Sequence, residues 1–360
     1  MLAVLDGLRS AGFEICAAAP SQGPLADALA ARGIDLIAFC PRDDRGTRRP
    51  LPELREHLAG VLARLRPDLL HANSLSMGRL SGPVAAQAAL PSVAHLRDIV
   101  RLSRQAVEDL HGHTRLLAVS HAVRRFLAGY GLDAAKIHVL YNGVDLERFA
   151  PRPATGYLHR QLALTPQAVL VGAIGQIGQR KGQDVLVGAA ALLARDLPNV
   201  HYVLVGQRWS DKPEAREFEA RLHAAACGRL AGRVHFLGVR DDVDRILNEL
   251  AILVHPARQE PLGRVLLEAS ASGTAVVATD VGGTAEVFPA DCQGARLVPP
   301  GDPVALAAAI AVVLGSEALR ARMGAAGRRR AEAAFDAGQA AARLAEHYRH
   351  VLTAAPTRGA

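Results

Sequence analysis

Short apolar runs rich in Val, Ile, Leu and Ala alternate along the chain with longer helical stretches. Runs of this length and composition are typical of buried strands. Because each strand is followed by a helix and then by another strand, the pattern predicts the parallel sheets of an α/β protein. The predicted strands are residues 14–19, 34–39, 68–72, 92–95, 115–119, 137–140, 168–174, 201–205, 234–237, 252–255, 275–278 and 295–298.

The alternation is interrupted once, near the middle of the chain. Asn142-Gly-Val-Asp145 is a turn signal, and Pro151-Arg-Pro153 has the composition of a linker. With 360 residues, half of them apolar, the chain can build two cores of ordinary size. We therefore predict two tandem Rossmann-like domains, 1–150 and 151–335. An Ala-rich helix at 336–354 is expected to pack across both halves and to complete the first domain.

The chain opens on a helix rather than on a strand. Leu2, Leu5 and Leu8 share one face of a helix that ends at Gly12. A Rossmann-like domain begins with a strand that lies centrally in its sheet. We therefore expect the first domain to lack that strand. Either the full chain begins further upstream, or the sheet has a gap with two exposed strand edges.

The charge of the chain suits an anionic partner. The formal net charge is +7 and the pI is near 9.7, which fits nucleotide phosphates, acidic lipid surfaces or nucleic acid. Aromatic residues make up only 4% of the chain, and the basic residues are scattered rather than grouped in blocks. The stacking platforms and basic blocks of nucleic-acid binders are missing, so we expect no nucleic-acid partner.

Cysteine usage and the length of the apolar runs indicate the compartment. Cys16, Cys40, Cys227 and Cys292 lie far apart and form no C-x-x-C pair, which is typical of thiols in a reducing compartment. No apolar run reaches the ~18 residues that span a bilayer, and Met1-Leu-Ala-Val-Leu-Asp6 does not resemble a signal peptide. We expect a cytoplasmic protein whose basic charge favours loose, peripheral attachment to an anionic membrane.

A glycine-rich turn with two cations follows the predicted strand at 168–174. It has the sequence Gly175-Gln-Ile-Gly-Gln-Arg180-Lys181-Gly182, and the next helix is expected from about Gln183, with its positive dipole end facing the turn. The chain has only three lysines against 39 arginines, so Lys181 suggests a need for a compact point charge. Such a turn suits a diphosphate, although a solvated basic turn would have the same residues. The glycine spacing differs from the G-x-G-x-x-G of dinucleotide sites.

Two carboxylates lie eight residues apart in Glu260-Pro-Leu-Gly-Arg-Val-Leu-Leu-Glu268. On a continuous helix they would be separated by about 80° around the axis and ~12 Å along it. Because Pro261 fits the first turn of a helix, we place Glu260 in the preceding loop and Glu268 on the helix, where both can reach one elongated ligand. Gly263 allows close backbone approach and donates amides at the helix start. Surface glutamates are common, but together with the basic turn this pair suggests a nucleotide sugar.

Other polar patterns have ordinary explanations. Asp242-Val-Asp244 has the spacing of a metal-dependent sugar transferase, yet it precedes an amphipathic helix, so capping and N-terminal charge explain it. His111-Gly-His113 has no third ligand at a fitting distance in sequence, which favours a polar loop. We therefore predict no metal site.

His95 ends the apolar run at 92–95, where doubly wound folds place ligand contacts, and Arg97 follows in the loop. A histidine at the end of a strand is more often structural. The alternative is that His95 faces a substrate, and the sequence leaves both interpretations open.

These motifs together resemble the retaining glycosyltransferases of family 4, which have the two-domain GT-B fold. The most specific part is the E-x7-E element from Glu260 to Glu268, with Gly273 closing its helix. The resemblance covers nearly the whole chain. It is also carried by Gly12-Phe-Glu, Pro67-Asp-Leu-Leu-His-Ala-Asn73, Val119-Ser-His-Ala-Val-Arg124, Tyr141-Asn-Gly-Val-Asp145, Gly282-Gly283 and Leu297-Val-Pro-Pro-Gly-Asp302.

The resemblance implies a role for each element of the candidate site. Lys181 and Arg180, on the turn that begins at Gly175, would bind the donor diphosphate. Glu268 would bind the ribose hydroxyls and Glu260 the transferred sugar. On the same basis the first domain would bind the acceptor and the second the nucleotide-sugar donor.

Further contacts follow from the same resemblance. Backbone amides around Leu262, Gly263 and Arg264 would hold the sugar and phosphate. Arg240, after the strand at 234–237, would lie near the base. His95 or Arg97 would occupy the acceptor side.

Two features depart from the family pattern. Many members have Arg where this chain has Gln176, so one phosphate contact becomes a neutral donor and Arg180 is expected to compensate. The opening strand with its glycine-rich loop is also missing. That loop lines the acceptor and phosphate side of the site in the family.

The family mechanism would require neither a metal nor a cofactor. Cations and helix amides at the leaving group stabilise the charge that develops there. The resemblance also implies retention of the anomeric configuration. The acceptor would be a saccharide or a lipid-linked intermediate in cell-surface glycan synthesis.

Two other functions fit the same sequence. One is a sugar-nucleotide epimerase or a phosphorylase of similar fold, of which the phosphorylase needs a pyridoxal-binding lysine; of the three lysines only Lys181 is a candidate for it. The other is a non-catalytic nucleotide-sugar-binding subunit, which an incomplete first domain would favour.

Overall fold

The computed structural model describes residues 2–43 and 45–354, which form twelve strands and fifteen α-helices. The strands are β1 (Cys16–Ala19), β2 (Asp35–Ala38), β3 (Leu70–Ala72), β4 (Ser92–Leu96), β5 (Arg115–Ala118), β6 (Ile137–Val139), β7 (Val169–Ile174), β8 (Val200–Val205), β9 (Val234–Gly238), β10 (Ile252–His255), β11 (Val276–Thr279) and β12 (Ala295–Val298). The helices are α1 (Leu5–Ser10), α2 (Pro24–Ala30), α3 (Leu51–Leu65), α4 (Leu75–Gln87), α5 (Arg104–His111), α6 (His121–Ala128), α7 (Tyr157–Gln161), α8 (Gln183–Leu193), α9 (Pro213–Ala225), α10 (Val243–Glu249), α11 (Arg264–Ala271), α12 (Thr284–Val287), α13 (Pro303–Leu314), α14 (Glu317–Ala334) and α15 (Ala337–Thr353). All twelve predicted strands are confirmed, with ends that differ by at most two residues.

The chain divides into two compact units. Among the described residues, unit 1 consists of 2–143 and 337–354, and unit 2 is Val144–Asp336. The predicted boundary at 150 falls inside unit 2, because the Val144 amide donates to the Phe335 carbonyl at 2.7 Å and ties the linker to that unit. The C-terminal helix α15 belongs to unit 1.

Unit 1 contains two separate parallel sheets, β1-β2 and β3-β4-β5-β6. No strand among the described residues joins them, as the sequence predicts for a domain without its opening strand. Helix α1 packs on both sides of this division. Leu8 lies in an apolar cluster with Val93 and Leu117 of the larger sheet, whereas Leu5 packs with Leu29 and Ile34 near the smaller one.

Helix α15 completes the core of unit 1. Ala341, Leu344, Tyr348 and Val351 are buried in the same cluster as the strands β4 and β5. The Tyr348 hydroxyl also lies 2.5 Å from Nδ1 of His71, at the middle of β3. This helix therefore covers one face of the four-stranded sheet, although it follows the whole of unit 2 in sequence.

Unit 2 contains one six-stranded parallel sheet in the order β12-β11-β10-β7-β8-β9. The central strand β7 pairs with both neighbours: Val171 is opposite Ile252 of β10 and opposite Tyr202 of β8. In a parallel sheet the carboxyl ends of neighbouring strands meet at one edge. The loops after β7 and β10, which hold the predicted basic turn and the first glutamate, are therefore adjacent.

The length and hydropathy of the helices show which of them could cross a membrane. No single helix in the described part of the chain is long and apolar enough to cross a bilayer. Helices α13 and α14 together reach the necessary length and composition, but they are bent by 101° at their junction. Leu306, Ile310 and Val313 of α13 and Met323 of α14 lie buried in the core of unit 2.

Candidate functional site

Lys181 and Glu260, which are 79 residues apart in sequence, form an ion pair at the carboxyl edge of the unit 2 sheet. The Lys181 Nζ lies 2.5 Å from Oε2 of Glu260. Lys181 is the last residue of a 3-10 turn, Gln179–Lys181, just before α8. Its stem lies close to Gly175: a Cβ added to that glycine would be 3.8 Å from Cε of Lys181. The Lys181 side chain is only 15% exposed, which makes the pair a partly dehydrated one.

His255, the last residue of β10, binds the same carboxylate oxygen. Its Nε2 lies 2.7 Å from Oε2 of Glu260, and its side chain is 3% exposed. A carboxylate only accepts hydrogen bonds, so Nε2 of His255 carries the proton. Burial lowers the pKa of His255, against the effect of the glutamate. The pair is therefore a neutral imidazole donating to an ionised carboxylate at neutral pH.

Glu260 remains ionised although its side chain is only 6% exposed. Burial raises its pKa, but the hydrogen bond from His255 and the positive charge of Lys181 outweigh that effect and lower the pKa to about 2. At neutral pH Glu260 can accept hydrogen bonds but cannot donate a proton.

Glu268 lies on α11 and is paired with an arginine one turn earlier. The Arg264 Nε donates to Oε1 of Glu268 at 3.0 Å; Arg264 is 80% exposed and Glu268 only 12%. Burial raises the pKa of Glu268, and Arg264 opposes that rise. As predicted, Glu260 lies in a loop and Glu268 on a helix, but the helix begins at Arg264 rather than at Pro261.

Gly263 explains the later helix start. Its φ is +92°, outside the helical region for other residues, and it occupies the N-cap position of α11. An added Cβ would lie 2.6 Å from Leu266 Cδ1 and 3.3 Å from Glu260 Cγ. A side chain at position 263 would therefore crowd the Glu260 side chain, and the predicted role of Gly263 in close approach to a ligand stays a prediction. Leu262 is buried beside it.

Arg180 and Gln176 are exposed on the same turn as Lys181. The Arg180 Nη1 donates to the Gln259 carbonyl at 3.3 Å, and its own carbonyl accepts from the Arg258 amide at 2.8 Å. Arg258 in turn forms two hydrogen bonds to Asp184, at 2.8 and 2.7 Å. These contacts join the loop after β7 to the loop after β10.

Arg240 is bound to an aspartate rather than free. Its Nε and Nη2 donate to the two carboxylate oxygens of Asp242, each at 2.8 Å, and the Tyr157 hydroxyl donates to the same carboxylate at 2.9 Å. Asp242 occupies the N-cap position of α10, as the sequence predicts, but its side chain forms no capping hydrogen bond. Asp244 lies in the first turn of α10 and pairs with Arg148 at 3.4 Å.

His95 belongs to unit 1, where it is the next-to-last residue of β4 and lies beside a group of polar residues. Its Nδ1 lies 3.0 Å from Nη2 of Arg97, which also donates to Asn73 and, through Nη1, to Asn142, both at 2.9 Å. Its Nε2 is buried and has no hydrogen-bond partner among the described residues. Burial and the charge of Arg97 lower the pKa of His95 well below its usual value. The structure thus places a neutral imidazole at the carboxyl end of a strand.

His255 is a site residue that the sequence analysis misses. The available signal was the one noted for His95, a histidine at the end of an apolar strand, here the run 252–255. His255 joins the site only because the Glu260 side chain lies against the end of β10, within hydrogen-bond distance of the imidazole. The Glu260 carbonyl, which accepts from the Gly283 amide at 2.9 Å, helps to fix that placement.

Gly182 holds the basic turn against the loop after β10, and we expect its replacement by Ala to destabilise unit 2. Its φ is +70°, and an added Cβ would lie 1.9 Å from the Pro256 carbonyl oxygen. Strain and displacement of the loop should together lower the free energy of unfolding by about 2–4 kcal/mol. Urea denaturation measures the loss. Gly178→Ala is the matched control, because its φ of 167° is extended and an added Cβ meets nothing within 4 Å. Equal stability of the two variants would contradict this account.

Comparison with known proteins identifies both parts of the chain. Residues 158–330 match the family described as glycosyl transferases group 1, and residues 1–148 match glycosyltransferase family 4. The phosphatidyl-myo-inositol mannosyltransferase of Mycolicibacterium smegmatis is 30% identical over 340 residues, which cover 89% of this chain and 81% of that protein. The D-inositol 3-phosphate glycosyltransferase of Xylanimonas cellulosilytica is 34% identical over 235 residues, 64% of this chain but only 55% of that enzyme, so the match spans about half its length.

Solved structures show the same fold. HepE from Anabaena, in complex with UDP-glucose, has a TM-score of 0.80 and 25% identity, with 91% of this chain and 90% of that chain covered. The sucrose-phosphate synthase of Thermosynechococcus elongatus has a TM-score of 0.79 and 25% identity, with 98% and 92% covered. The chain has two Rossmann-like domains of the GT-B type and belongs to the family 4 glycosyltransferases.

Proposed function

We propose that this chain is a retaining glycosyltransferase that needs neither metal nor cofactor. It transfers a sugar from a nucleotide-sugar donor, UDP- or GDP-linked, to a saccharide or lipid-linked acceptor in cell-surface glycan synthesis. The single observation that carries the proposal is the ion pair of Lys181 with Glu260 beside α11. It brings a point charge suited to a diphosphate next to a carboxylate suited to sugar hydroxyls.

Lys181 is the group that stabilises the leaving diphosphate. The bond that breaks joins the anomeric carbon of the donor to a phosphate oxygen, and negative charge accumulates on that oxygen. An ammonium in a partly dehydrated position stabilises this charge more strongly than one in water. The acceptor hydroxyl attacks the same face of the sugar, and the departing diphosphate takes its proton.

Glu260 acts as a hydrogen-bond acceptor and not as an acid. Its low pKa keeps it ionised across the physiological range. An ionised carboxylate can bind sugar hydroxyls and stabilise the positive charge that develops at the anomeric carbon. Glu268, whose Oε1 accepts from an exposed arginine, is open to exchange that partner for the ribose hydroxyls of the donor.

The relatives support a nucleotide-sugar donor. HepE has been solved with UDP, with UDP and glucose, and with UDP-glucose, which favours a uridine donor. The names of the sequence relatives include an inositol 3-phosphate glycosyltransferase and a phosphatidyl-inositol mannosyltransferase. These names favour a phosphorylated or lipid-linked acceptor. A cytoplasmic enzyme held loosely at an anionic membrane would fit such an acceptor and the net charge of +7.

The test is a donor and acceptor panel on the purified chain. Binding of UDP, GDP and ADP is measured by thermal shift. Release of each nucleotide from its glucose or mannose derivative is then followed with and without inositol phosphates or lipid acceptors. NMR of the product gives the anomeric configuration.

Each outcome of the panel separates the candidate functions. Acceptor-dependent release with an α product from an α donor supports the proposal. Binding without release under any combination favours the non-catalytic subunit. Failure to bind any nucleotide or nucleotide sugar would refute both.

A further inference from the structure

One oxygen of Glu260 has two partners. Oε2 accepts from Nζ of Lys181 at 2.5 Å and from Nε2 of His255 at 2.7 Å. The two donors reach it from different elements, since Lys181 precedes α8 and His255 ends β10. Glu260 is thus held by one flexible cation and one rigid imidazole.

The two donors differ in how freely they can move. His255 is 3% exposed and is fixed by the strand that carries it, between β7 and β11 in the sheet. Lys181 has a four-carbon stem and a 15% exposed side chain, and its ammonium has three donor hydrogens. Only Lys181 can therefore turn toward a ligand without moving the sheet.

If Lys181 were the sole partner of Oε2, its departure would leave that buried carboxylate oxygen without a hydrogen-bond donor. A buried carboxylate without a hydrogen-bond donor is costly, and this cost would oppose any movement of the ammonium toward a phosphate. A second donor that stays in place removes most of that cost. His255 meets this requirement because its bond to Oε2 does not involve Lys181.

We propose that His255 is a positioning residue that keeps Glu260 hydrogen-bonded and in place while the Lys181 ammonium turns from Glu260 to the donor diphosphate. The inference rests on the proposed function, because it assumes a diphosphate ligand. His255 would thus raise the affinity for the donor through Glu260, without contacting the donor itself.

The experiment compares His255→Leu with His255→Gln in the full chain. Leu has a similar volume and no donor, whereas the Gln amide can donate from near the position of Nε2. Isothermal titration with UDP, GDP and ADP gives Kd, and the donor panel gives KM and kcat separately. We expect H255L to raise Kd and donor KM about tenfold to a hundredfold, and H255Q to restore them to within about threefold of the wild type.

Several results would overturn the inference. If H255L binds nucleotide as tightly as the wild type, Lys181 does not depend on His255. If both variants lose affinity equally and also unfold at lower temperature, His255 has only a packing role. If the wild type binds none of the three nucleotides or their sugars, the proposed function fails, and the inference fails with it.

A second measurement covers the case in which H255L does not fold. ¹⁵N-histidine NMR of the wild type, assigned with H255Q, reports the Nε2–H of His255 during titration with UDP. We expect this resonance to persist and to shift as UDP binds, since the bond to Glu260 remains while Lys181 leaves. Its disappearance, or no change at saturating UDP, would contradict the proposal.

Discussion

We expect Lys181→Ala to lower kcat for sugar transfer about a hundredfold to a thousandfold, with a smaller rise in donor KM. The Nζ lies at the carboxyl edge of the sheet, partly dehydrated, 2.5 Å from Glu260. On the proposed mechanism, its interaction with the diphosphate strengthens as the leaving oxygens gain charge, so its removal should affect the transition state more than the bound substrate. Initial rates over a range of donor concentrations separate the two parameters.

Lys212 offers a matched control for this variant. It is one of the three lysines of the chain and lies exposed at the N-cap position of α9. Its backbone amide donates to Oγ of Ser210 at 3.3 Å. Lys212→Ala should retain wild-type kcat within about twofold, as expected for a surface substitution. An unchanged rate in Lys181→Ala would reject the assignment of Lys181 as the group that stabilises the leaving diphosphate.

We expect a fall in pH from 7 to 5 to destabilise the protein by about 4 kcal/mol through His71 and His113, two buried histidines of unit 1. Burial and the charge of Arg97 lower the pKa of His71 to about 3, and burial lowers that of His113 to about 4. Below pH 6.5 the unfolded chain binds a proton at each histidine and the folded chain does not. The contribution of these two histidines to stability is therefore greatest above that pH, and it falls by about 2 kcal/mol for each histidine by pH 5.

Urea denaturation at several pH values between 7.5 and 5 measures this loss. The slope of the free energy of unfolding against pH reports how many more protons the unfolded chain binds than the folded one. His113→Gln should lower that number by about one, although the variant also loses the contacts of His113 with Ser92 and Gly78. His350→Gln, at an exposed position of α15, is the control. A flat profile from pH 7 to 5 in the wild type would show that these imidazoles are not held neutral in the folded state. Glu260 loses its charge only at lower pH, so it does not contribute in this range.

The strands could be predicted because each is a short apolar run bounded by polar or turn residues. The run at 252–255 is strand β10 without change, and that at 295–298 is β12. Ile252 and Val254 of β10 and Val298 of β12 are buried in the core of unit 2, so local composition and tertiary position agree there.

Errors occurred where a tertiary contact overrides a local signal. Pro261 is a good first residue for a helix, yet Gly263 with its positive φ delays α11 to Arg264. Asp242 has the residue type of a cap, but two arginine nitrogens and a tyrosine hydroxyl bind its carboxylate. The Pro151-Arg-Pro153 segment has the composition of a linker, yet unit 2 begins before it, at Val144.

The amino-acid sequence by itself determined the elements of this protein and the chemistry available at their ends. Strand runs, the Gly175 turn with Lys181, and the two glutamates are local features, and local residue preferences are sufficient to predict them. Only the tertiary structure decided that Lys181, His255 and Glu260 meet at one carboxylate oxygen. Their meeting depends on β10 lying beside β7 although β8 and β9 come between them in sequence. Strand order is set by long-range packing and pairing, and no periodicity within a single segment encodes it.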